Sequence, residues 1–338
     1  MTLQWLWFVL VGVLLTGYAV LDGFDLGAGV LYPFIARTDA EKNLIRGSIG
    51  PVWDGNEVWL LTGGGALFAA FPAVYASTFS GFYLAIMLVL FGLILRAVSI
   101  EYRGRDEGFK KMWDAAFFVG SLLPALLVGV AVGNVIRGIP LNAHGDYTGT
   151  FFQLLNWYSL LIGLLGLCAI VTHGAAWLAL KLDGPVQERA IKVRGISQIV
   201  CVLLFVLATL ATLSQASRAT DNVFGAWYGW LAVIVVLGAV VWGRWGMLKG
   251  DHRTAFLGTA LTIIGVGGIF AVSNYPDMVP ARGTPAATSL TVANSASGNS
   301  TLTAMLIITL IGFPIVIFYM IFAYRTFRGK AQQAHTDY

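Results

Sequence analysis

The sequence predicts an all-α polytopic membrane protein with nine transmembrane helices. The first observation is composition: of 338 residues, 57% are hydrophobic and 11% charged, and the mean hydropathy is +0.77. These values lie outside the range of soluble globular domains. The second is the presence of nine apolar stretches, each long enough to supply the about 20 residues that a helix needs to cross a bilayer. The third is an alternation of Lys and Arg between successive connections. We therefore treat residues 1–338 as a single integral membrane domain.

The apolar stretches give the predicted helices in order. They are 3–36, 56–75, 78–99, 113–137, 155–180, 195–217, 226–245, 254–274 and 301–324. The first is too long for a signal peptide and begins without a basic segment, so we keep it as a span. Pro72 to Ser77 predicts a short turn between the second and third helices. Residues 275–300 are rich in Pro, Ser, Thr and Asn and predict an outer loop, and 325–338 predict a cytoplasmic tail.

The basic residues predict the orientation of the chain. Eighteen of the 21 Lys and Arg residues lie after the first, third, fifth and seventh helices and in the tail. By the positive-inside rule, the N-terminus is outside and the C-terminus is cytoplasmic. Basic cytoplasmic loops explain the net charge of +4 without nucleic acid, and contact with anionic lipid follows from them.

Two acids, Asp22 and Asp25, lie inside the first predicted helix. Their spacing places both on one face, and at 1.5 Å per residue they lie about 25 to 30 Å from an outer end near Trp5, in the cytoplasmic half. Carboxyl groups are costly inside a bilayer and usually face a protein interior or a water path. We favour a functional role over the alternative, a pair of buried acids hydrogen-bonded to neighbouring backbone or hydroxyl groups.

A second acidic pair, Asp54 and Glu57, stands at the start of the second predicted helix between Trp53 and Trp59. The same spacing and the flanking tryptophans put both acids on one face at the membrane edge. Asp114, near the start of the fourth helix, is either a helix cap or a weaker member of the same system. The candidate proton-relay residues are therefore Asp25, Asp54, Asp22, Glu57 and Asp114.

Glycines in the first two helices predict close helix contacts. Gly23, Gly27 and Gly29 thin the first helix beside its acids. The run 63–65 in the second helix is consistent with a broken transporter helix, but close packing is the interpretation that we favour.

His173 is the only histidine inside a predicted span. Such a residue is either a haem ligand or, as we favour, a hydrogen-bonding group or a member of a proton relay. Cys168 and Cys201 lie in apolar runs without the spacing of a metal site, so packing thiols are expected and no metal site is predicted. Nucleotide-binding and hydrolase motifs are absent from usable contexts, so the chain does not read as a self-contained catalyst.

Several long strings resemble subunit II of the cytochrome bd-type quinol oxidases, including the cyanide-insensitive branch. They are GVLLTGYAVLDGFDLGAGVL (12–31), WDGNEVWLLTGGGALFAAFPAVYASTFSGFY (53–83), MWD (112–114), GSLLPALLVGVAVGN (120–134), TGTFFQLLN (148–156) and SLTVANSASGNSTL (289–302). The resemblance covers essentially the whole chain, although the sixth and seventh helices match mainly in hydropathy.

The resemblance implies two four-helix bundles, about 3–137 and 155–274, plus one peripheral ninth helix. It also implies a bacterial inner-membrane heterodimer in which subunit I carries haem b, haem d or a variant haem, and the quinol site. That complex oxidises quinol and reduces O2 to water. This subunit is then haem-free and not catalytic alone, with a structural quinone in some members and small accessory subunits in others. The positions of Asp25 and Asp54 match a proton supply route proposed for the family, whereas no role carries over to His173.

Two other functions remain open from the residues alone. A proton-coupled secondary transporter would also contain buried acids and glycine-rich helices, but no second broken helix stands in a corresponding position. A purely structural scaffold for a partner would satisfy all its acids locally.

Overall fold

The computed structural model describes residues 2–283 and 288–331. Part of the predicted outer loop, 284–287, and most of the predicted tail, 332–338, lie outside the described residues. The helices are α1 (Leu3–Ile35), α2 (Asp39–Ile49), α3 (Trp53–Ala70), α4 (Pro72–Gly81), α5 (Tyr83–Tyr102), α6 (Lys110–Arg137), α7 (Phe151–Leu154), α8 (Trp157–Lys181), α9 (Gly184–Gln215), α10 (Ser217–Phe224), α11 (Trp227–Lys249), α12 (His252–Asn274) and α13 (Asn299–Thr326). A 3-10 turn, Glu107–Phe109, precedes α6, and two short strands, β1 (Asp277–Val279) and β2 (Leu290–Thr291), precede α13.

Eight helices in the described ranges are long and apolar enough to span a membrane, which confirms an all-α polytopic fold. They are α1, α5, α6, α8, α9, α11, α12 and α13. The missing predicted span corresponds to α3, which has 18 residues and begins with the polar segment around Asp54 and Glu57. The count of nine spans therefore stays a prediction that depends on α3.

The predicted turn from Pro72 to Ser77 is wrong, because these residues belong to α4. The helical path breaks at Phe71, whose φ of −135° and ψ of 65° lie outside the helical region. Proline disfavours helical geometry in the residue before it and suits the first position of a new helix. A ten-residue helix, rather than a tight turn, therefore connects α3 to α5.

Two helix starts were also missed. Residues 39–49 were expected to be a connection, but they form α2, capped where the Thr38 side chain accepts a hydrogen bond from the Glu41 backbone nitrogen. The Thr-x-x-Glu spacing is a sequence signal for such a start. Helix α9 begins at Gly184 instead of residue 195, so part of the predicted basic connection is helical.

Local chemistry sets several helix ends. The side chains of Thr2, Asn156 and Asp251 accept hydrogen bonds from the first turns of α1, α8 and α12. Gly250 ends α11 with a φ of +72°, a conformation that side chains other than glycine adopt with strain.

Helix α1 lies at the centre of the packing and contacts α3, α6, α8 and α12. The glycines of α1 allow close contact with neighbouring helices, as predicted. A Cβ on Gly27 would overlap the Ile170 carbonyl oxygen and lie 2.9 Å from the Cα of Gly174 on α8, and a Cβ on Gly29 would overlap Ser121 on α6. Backbones can approach this closely only where side chains are absent.

The glycine run in α3 behaves differently. Helix α3 is continuous through residues 63–65, so the broken-helix interpretation is wrong. A Cβ on Gly63 would lie 2.9 Å from Leu15 on α1, whereas Gly64 and Gly65 have nothing within 4 Å. Close packing within this chain therefore holds for Gly63 only.

We expect Gly27→Ala to destabilise the protein, because the added methyl group forces α1 and α8 apart at a backbone contact. Overpacking of this kind costs about 1–3 kcal/mol. Gly12→Ala is the matched control on the same helix, since a Cβ there meets nothing within 4 Å. The measurement is the thermal unfolding midpoint of the purified protein; equal midpoints for the two variants would contradict this account of the contact.

The described parts of the predicted outer loop, 275–283 and 288–300, pack against one end of the helices. Strands β1 and β2 pair antiparallel, and Val279 and Leu290 are buried with Trp7, Phe71 and Ile139 in one apolar cluster. The Trp7 indole nitrogen donates to the carbonyl oxygen of Leu302 at 3.0 Å, which joins α1 to α13. The small sheet was not predicted.

Candidate functional site

A buried ion pair lies at the contact between α1 and α5. The Arg96 guanidinium is 2.7 Å from Asp22 Oδ1, and both side chains are 0% exposed. A second guanidinium nitrogen of Arg96 lies 3.6 Å from Glu57 Oε2 on α3. Arg96 lies inside the third predicted helix, 78–99, and in the structure α5 continues to Tyr102 and holds Arg96 in the interior.

The second acid of α1, Asp25, has a neutral partner. Its Oδ2 accepts a hydrogen bond of 2.7 Å from the Asn56 amide on α3, and the Asn56 oxygen accepts one of 2.9 Å from the Tyr324 hydroxyl on α13. Asp25 and Asn56 are both 0% exposed. Asp25 Oδ1 has no hydrogen-bond partner within the described part of the chain.

The charges of this cluster do not balance. Asp22, Asp25 and Glu57 share one cation, Arg96, so ionisation of all three carboxyl groups would leave excess negative charge in a low-dielectric site. Because an unpaired buried charge is costly, the cluster is suited to holding a proton on a carboxyl group. Asp25, bound to an amide instead of a guanidinium, is the carboxyl group that can do so without breaking an ion pair.

The cluster reaches the surface through α3. The Glu57 side chain is 24% exposed, and Asp54, one turn earlier, is exposed and close enough to interact electrostatically with Glu57. The structure therefore brings Asp22, Asp25 and Glu57 together in the interior and places Asp54 at their surface edge. Acidic side chains from α1 and α3 thus lie in one region of the protein.

Asp114 belongs to a different cluster. It lies 2.7 Å from Lys42 Nζ on α2, and it also accepts hydrogen bonds from Arg103 and from the Tyr32 hydroxyl. Its proposed role as a helix cap is wrong, because α6 begins at Lys110. The same Arg103 donates to Asp39 at 2.8 Å, and this hydrogen bond lowers the pKa of Asp39. The network ties α1, α2, α5 and α6 together.

His173 is fully buried between α1, α8 and α12. Its Nδ1 lies 2.8 Å from the Thr259 hydroxyl and its Nε2 lies 3.0 Å from the Val20 carbonyl oxygen. The ring stacks on Phe256 with centroids 4.7 Å apart. Both nitrogens thus have partners in the chain, which fits the expected hydrogen-bonding role and leaves neither free to bind a haem iron in this arrangement.

The cysteines are free thiols, as expected for packing residues. Cys168 donates to the Ser197 carbonyl oxygen at 3.3 Å, across the contact of α8 and α9. In residues 2–283 and 288–331, no group of three His, Cys, Asp or Glu side chains is arranged to hold a metal ion.

Sequence reasoning missed Arg96, Asn56 and Tyr324. Asn56 stands between the two predicted acids of α3, and a polar amide inside an apolar helix was a usable signal. Tyr324 gave none, because tyrosine is common at membrane interfaces.

Comparisons with known proteins agree on one family. A family model described as cytochrome bd terminal oxidase subunit II matches residues 3–327. A Haemophilus influenzae protein, described as a probable cytochrome oxidase subunit 2, is 38% identical over 99% of this chain and 97% of its own length. The Bacillus subtilis cytochrome bd ubiquinol oxidase subunit 2 is 37% identical over 96% of each chain. The Escherichia coli K12 cytochrome bd-I ubiquinol oxidase subunit 2 is 46% identical over 61% of this chain and 56% of its own length.

A solved structure shares the fold. The bd oxidase from Geobacillus thermodenitrificans superposes with a TM-score of 0.81 over 97% of this chain and 99% of the matched chain, at 17% identity. At that identity the likeness supports the fold alone. Two findings decide the assignment. The family model matches nearly the whole chain, and the chain covers almost the full length of two relatives that are more than 30% identical to it. The chain belongs to the cytochrome bd terminal oxidase subunit II family.

Proposed function

We propose that this chain is the haem-free subunit of a bacterial quinol oxidase and that it supplies protons to the oxygen site of a haem-bearing subunit I. The partner would hold haem b with haem d or a variant haem, oxidise quinol and reduce O2 to water. Family membership supports the complex. The hydrogen bonds of both ring nitrogens of His173 are consistent with a hydrogen-bonding role for this residue; that the chain binds no haem stays a prediction. A structural quinone in this chain and small accessory subunits stay predictions.

One observation carries the proton role: Asp25 is fully buried, and its hydrogen-bond partner among the described residues is the Asn56 amide. Water formation at a buried site consumes protons, which must cross a low-dielectric region. Carboxyl groups that can gain and lose a proton in place are suitable carriers. Asp22 is less suited, because its pairing with Arg96 stabilises the charged form.

The surface position of Asp54 gives the proposed direction of transfer. Protons would enter at Asp54, pass to Glu57 and reach the interior beside Asp22 and Asp25. With the N-terminus outside and the C-terminus in the cytoplasm, as the basic residues predict, this entrance faces the cytoplasmic half. Asp114 is not placed on this route; in this proposal it holds the cytoplasmic helix ends in position.

The contacts between helices are consistent with the proposed bundles. Helix α1 contacts α3 and α6, and α5 contacts α6; α8 contacts α9 and α12, and α11 contacts α12. In the described ranges the main contacts of α13 are with α1 and α3, as a peripheral helix would make. The two sets meet where α8 packs on α1 and α6.

The test of this function is purification of the chain with and without its partner. With it, the reduced-minus-oxidised absorption spectrum should show haem bands and the complex should oxidise quinol with O2. Alone, the chain should show no Soret band. A stoichiometric haem signal in the isolated chain that disappears in His173→Ala would overturn the haem-free assignment. The family assignment gives no support to the transporter alternative, which substrate uptake by the isolated chain would revive.

A further inference from the structure

Arg194, in the first third of α9, is a buried cation without an acidic partner among residues 2–283 and 288–331. Arg194 as a whole residue is 1% exposed. One guanidinium nitrogen lies 3.3 Å from His252 Nδ1, and Nε has no hydrogen-bond partner in the described ranges. A buried charge normally requires a counter-charge, and the described part of the chain supplies none for Arg194.

The charged groups around Arg194 do not neutralise it, and one of them adds further positive charge. Arg244 on α11 is close enough to repel Arg194 and donates to the Gly195 carbonyl oxygen at 3.4 Å. Two carboxylates at the adjoining helix ends are engaged elsewhere: Asp251, beside His252, caps α12 through Thr254, and Asp183, at the start of α9, pairs with Lys330 at 3.0 Å. Arg194 and Arg244 thus form a positive site between α9, α11 and α12.

An apolar groove runs along one face of α11 and ends at Trp245, the residue next to Arg244. It has a volume of about 750 Å³, opens to the outside of the helices and is lined by Ile234, Leu237, Gly238, Val241, Trp242 and Trp245. Lys249 lies one turn after Trp245, with its ammonium group 5.1 Å from the indole centroid. Tryptophan and lysine in this arrangement are typical of the level of lipid headgroups.

We propose that this end of α11 binds one anionic phospholipid. Arg244 and Lys249 bind the phosphate oxygens, Arg194 adds positive charge from beneath, and an acyl chain lies in the α11 groove. The combination decides the ligand class: a soluble anion would use the cations alone, and a neutral lipid would use the groove alone. Basic pockets between membrane helices bind anionic headgroups by this charge complementarity.

The experiment measures lipid binding to the purified oxidase complex by native mass spectrometry. Dioleoylphosphatidylglycerol should bind more tightly than dioleoylphosphatidylcholine. Arg244→Gln should weaken phosphatidylglycerol binding about fivefold, the effect expected of one basic residue at a headgroup. It should weaken phosphatidylcholine binding less, because the choline ammonium group cancels the charge of the phosphate. Gly238→Leu should weaken binding of both lipids, because a Cβ there meets nothing within 4 Å and the longer side chain fills the groove without a clash.

Lys192→Gln is the matched control, because Lys192 is an exposed cation two residues before Arg194 on the same helix. It should bind both lipids as the wild type does. Equal binding of the two lipids, or equal losses in Arg244→Gln and Lys192→Gln, would overturn the proposal. Full displacement of phosphatidylglycerol by millimolar inorganic phosphate would also overturn it, in favour of a free-anion site. The test uses variants at Arg244, Gly238 and Lys192 and does not substitute Arg194, because a substitution of that buried residue is prone to cause misfolding.

Discussion

Asp25→Asn is expected to reduce the quinol oxidase turnover of the complex on the order of tenfold or more while leaving its haem content unchanged. Asparagine has nearly the same volume as aspartate and can still bond to Asn56, so the contact between α1 and α3 survives. It cannot accept and release a proton at neutral pH. Loss of turnover per haem would therefore report loss of a proton carrier.

The measurement is O2 consumption normalised to haem, with proton uptake followed during single-turnover oxidation. Asp221→Asn is a neutral control, since Asp221 is exposed on α10. Asp54→Asn should slow turnover less than Asp25→Asn, because water can bypass an exposed entrance but not a fully buried site. Normal turnover and proton uptake in Asp25→Asn would reject the relay. A parallel loss of haem and activity would instead indicate that Asp25 acts in assembly.

Arg96→Gln is expected to cause the largest loss of stability. It removes the single cation shared by Asp22 and Glu57 and leaves a buried carboxylate without a counter-charge. Breaking a buried pair by removing one partner costs roughly 3–5 kcal/mol. Such a loss should lower the yield of complex that contains haem and lower its thermal unfolding midpoint.

The double variant Asp22→Asn with Arg96→Gln distinguishes charge from packing. Replacing both partners removes the unpaired charge, so the midpoint should recover a substantial part of the loss. Arg96→Lys keeps the charge and should be milder than Arg96→Gln. If the double variant is as unstable as the sum of the single variants, Arg96 acts through its packing and the ion-pair account is wrong.

The two acidic pairs show which features of the site residue spacing predicts and which it does not. The spacing of Asp22 and Asp25 correctly predicted two acids on one buried helix face, and the glycines around them correctly predicted close contact with α8 and α6. The same spacing in α3 did not show that Asp54 is exposed whereas Glu57 turns towards Arg96. Hydropathy gives the length of a helix but not its rotation about its axis.

Partners distant in sequence were beyond pattern reasoning. Tyr324 and Asn56 are 268 positions apart, and only the docking of α13 against α3 brings them together. Asp114 was grouped with the other acids by its depth, yet it lies among Lys42, Arg103 and Tyr32 because α2 folds back beneath the helices. The cap signal for α2 was present at Thr38, but helix propensity alone does not show where a short helix packs.

The sequence by itself determined that this chain is a membrane protein of many helices and, through its long motifs, to which family it belongs. Both are local properties: backbone groups in lipid must bond within their own helix, so an apolar stretch of sufficient length specifies a span without reference to its neighbours. Tertiary structure decided which polar groups meet. In a low-dielectric interior each buried charge depends on its partners, so the pairing of Asp22 with Arg96 and of Asp25 with a neutral amide separates a fixed ion pair from a group able to carry a proton.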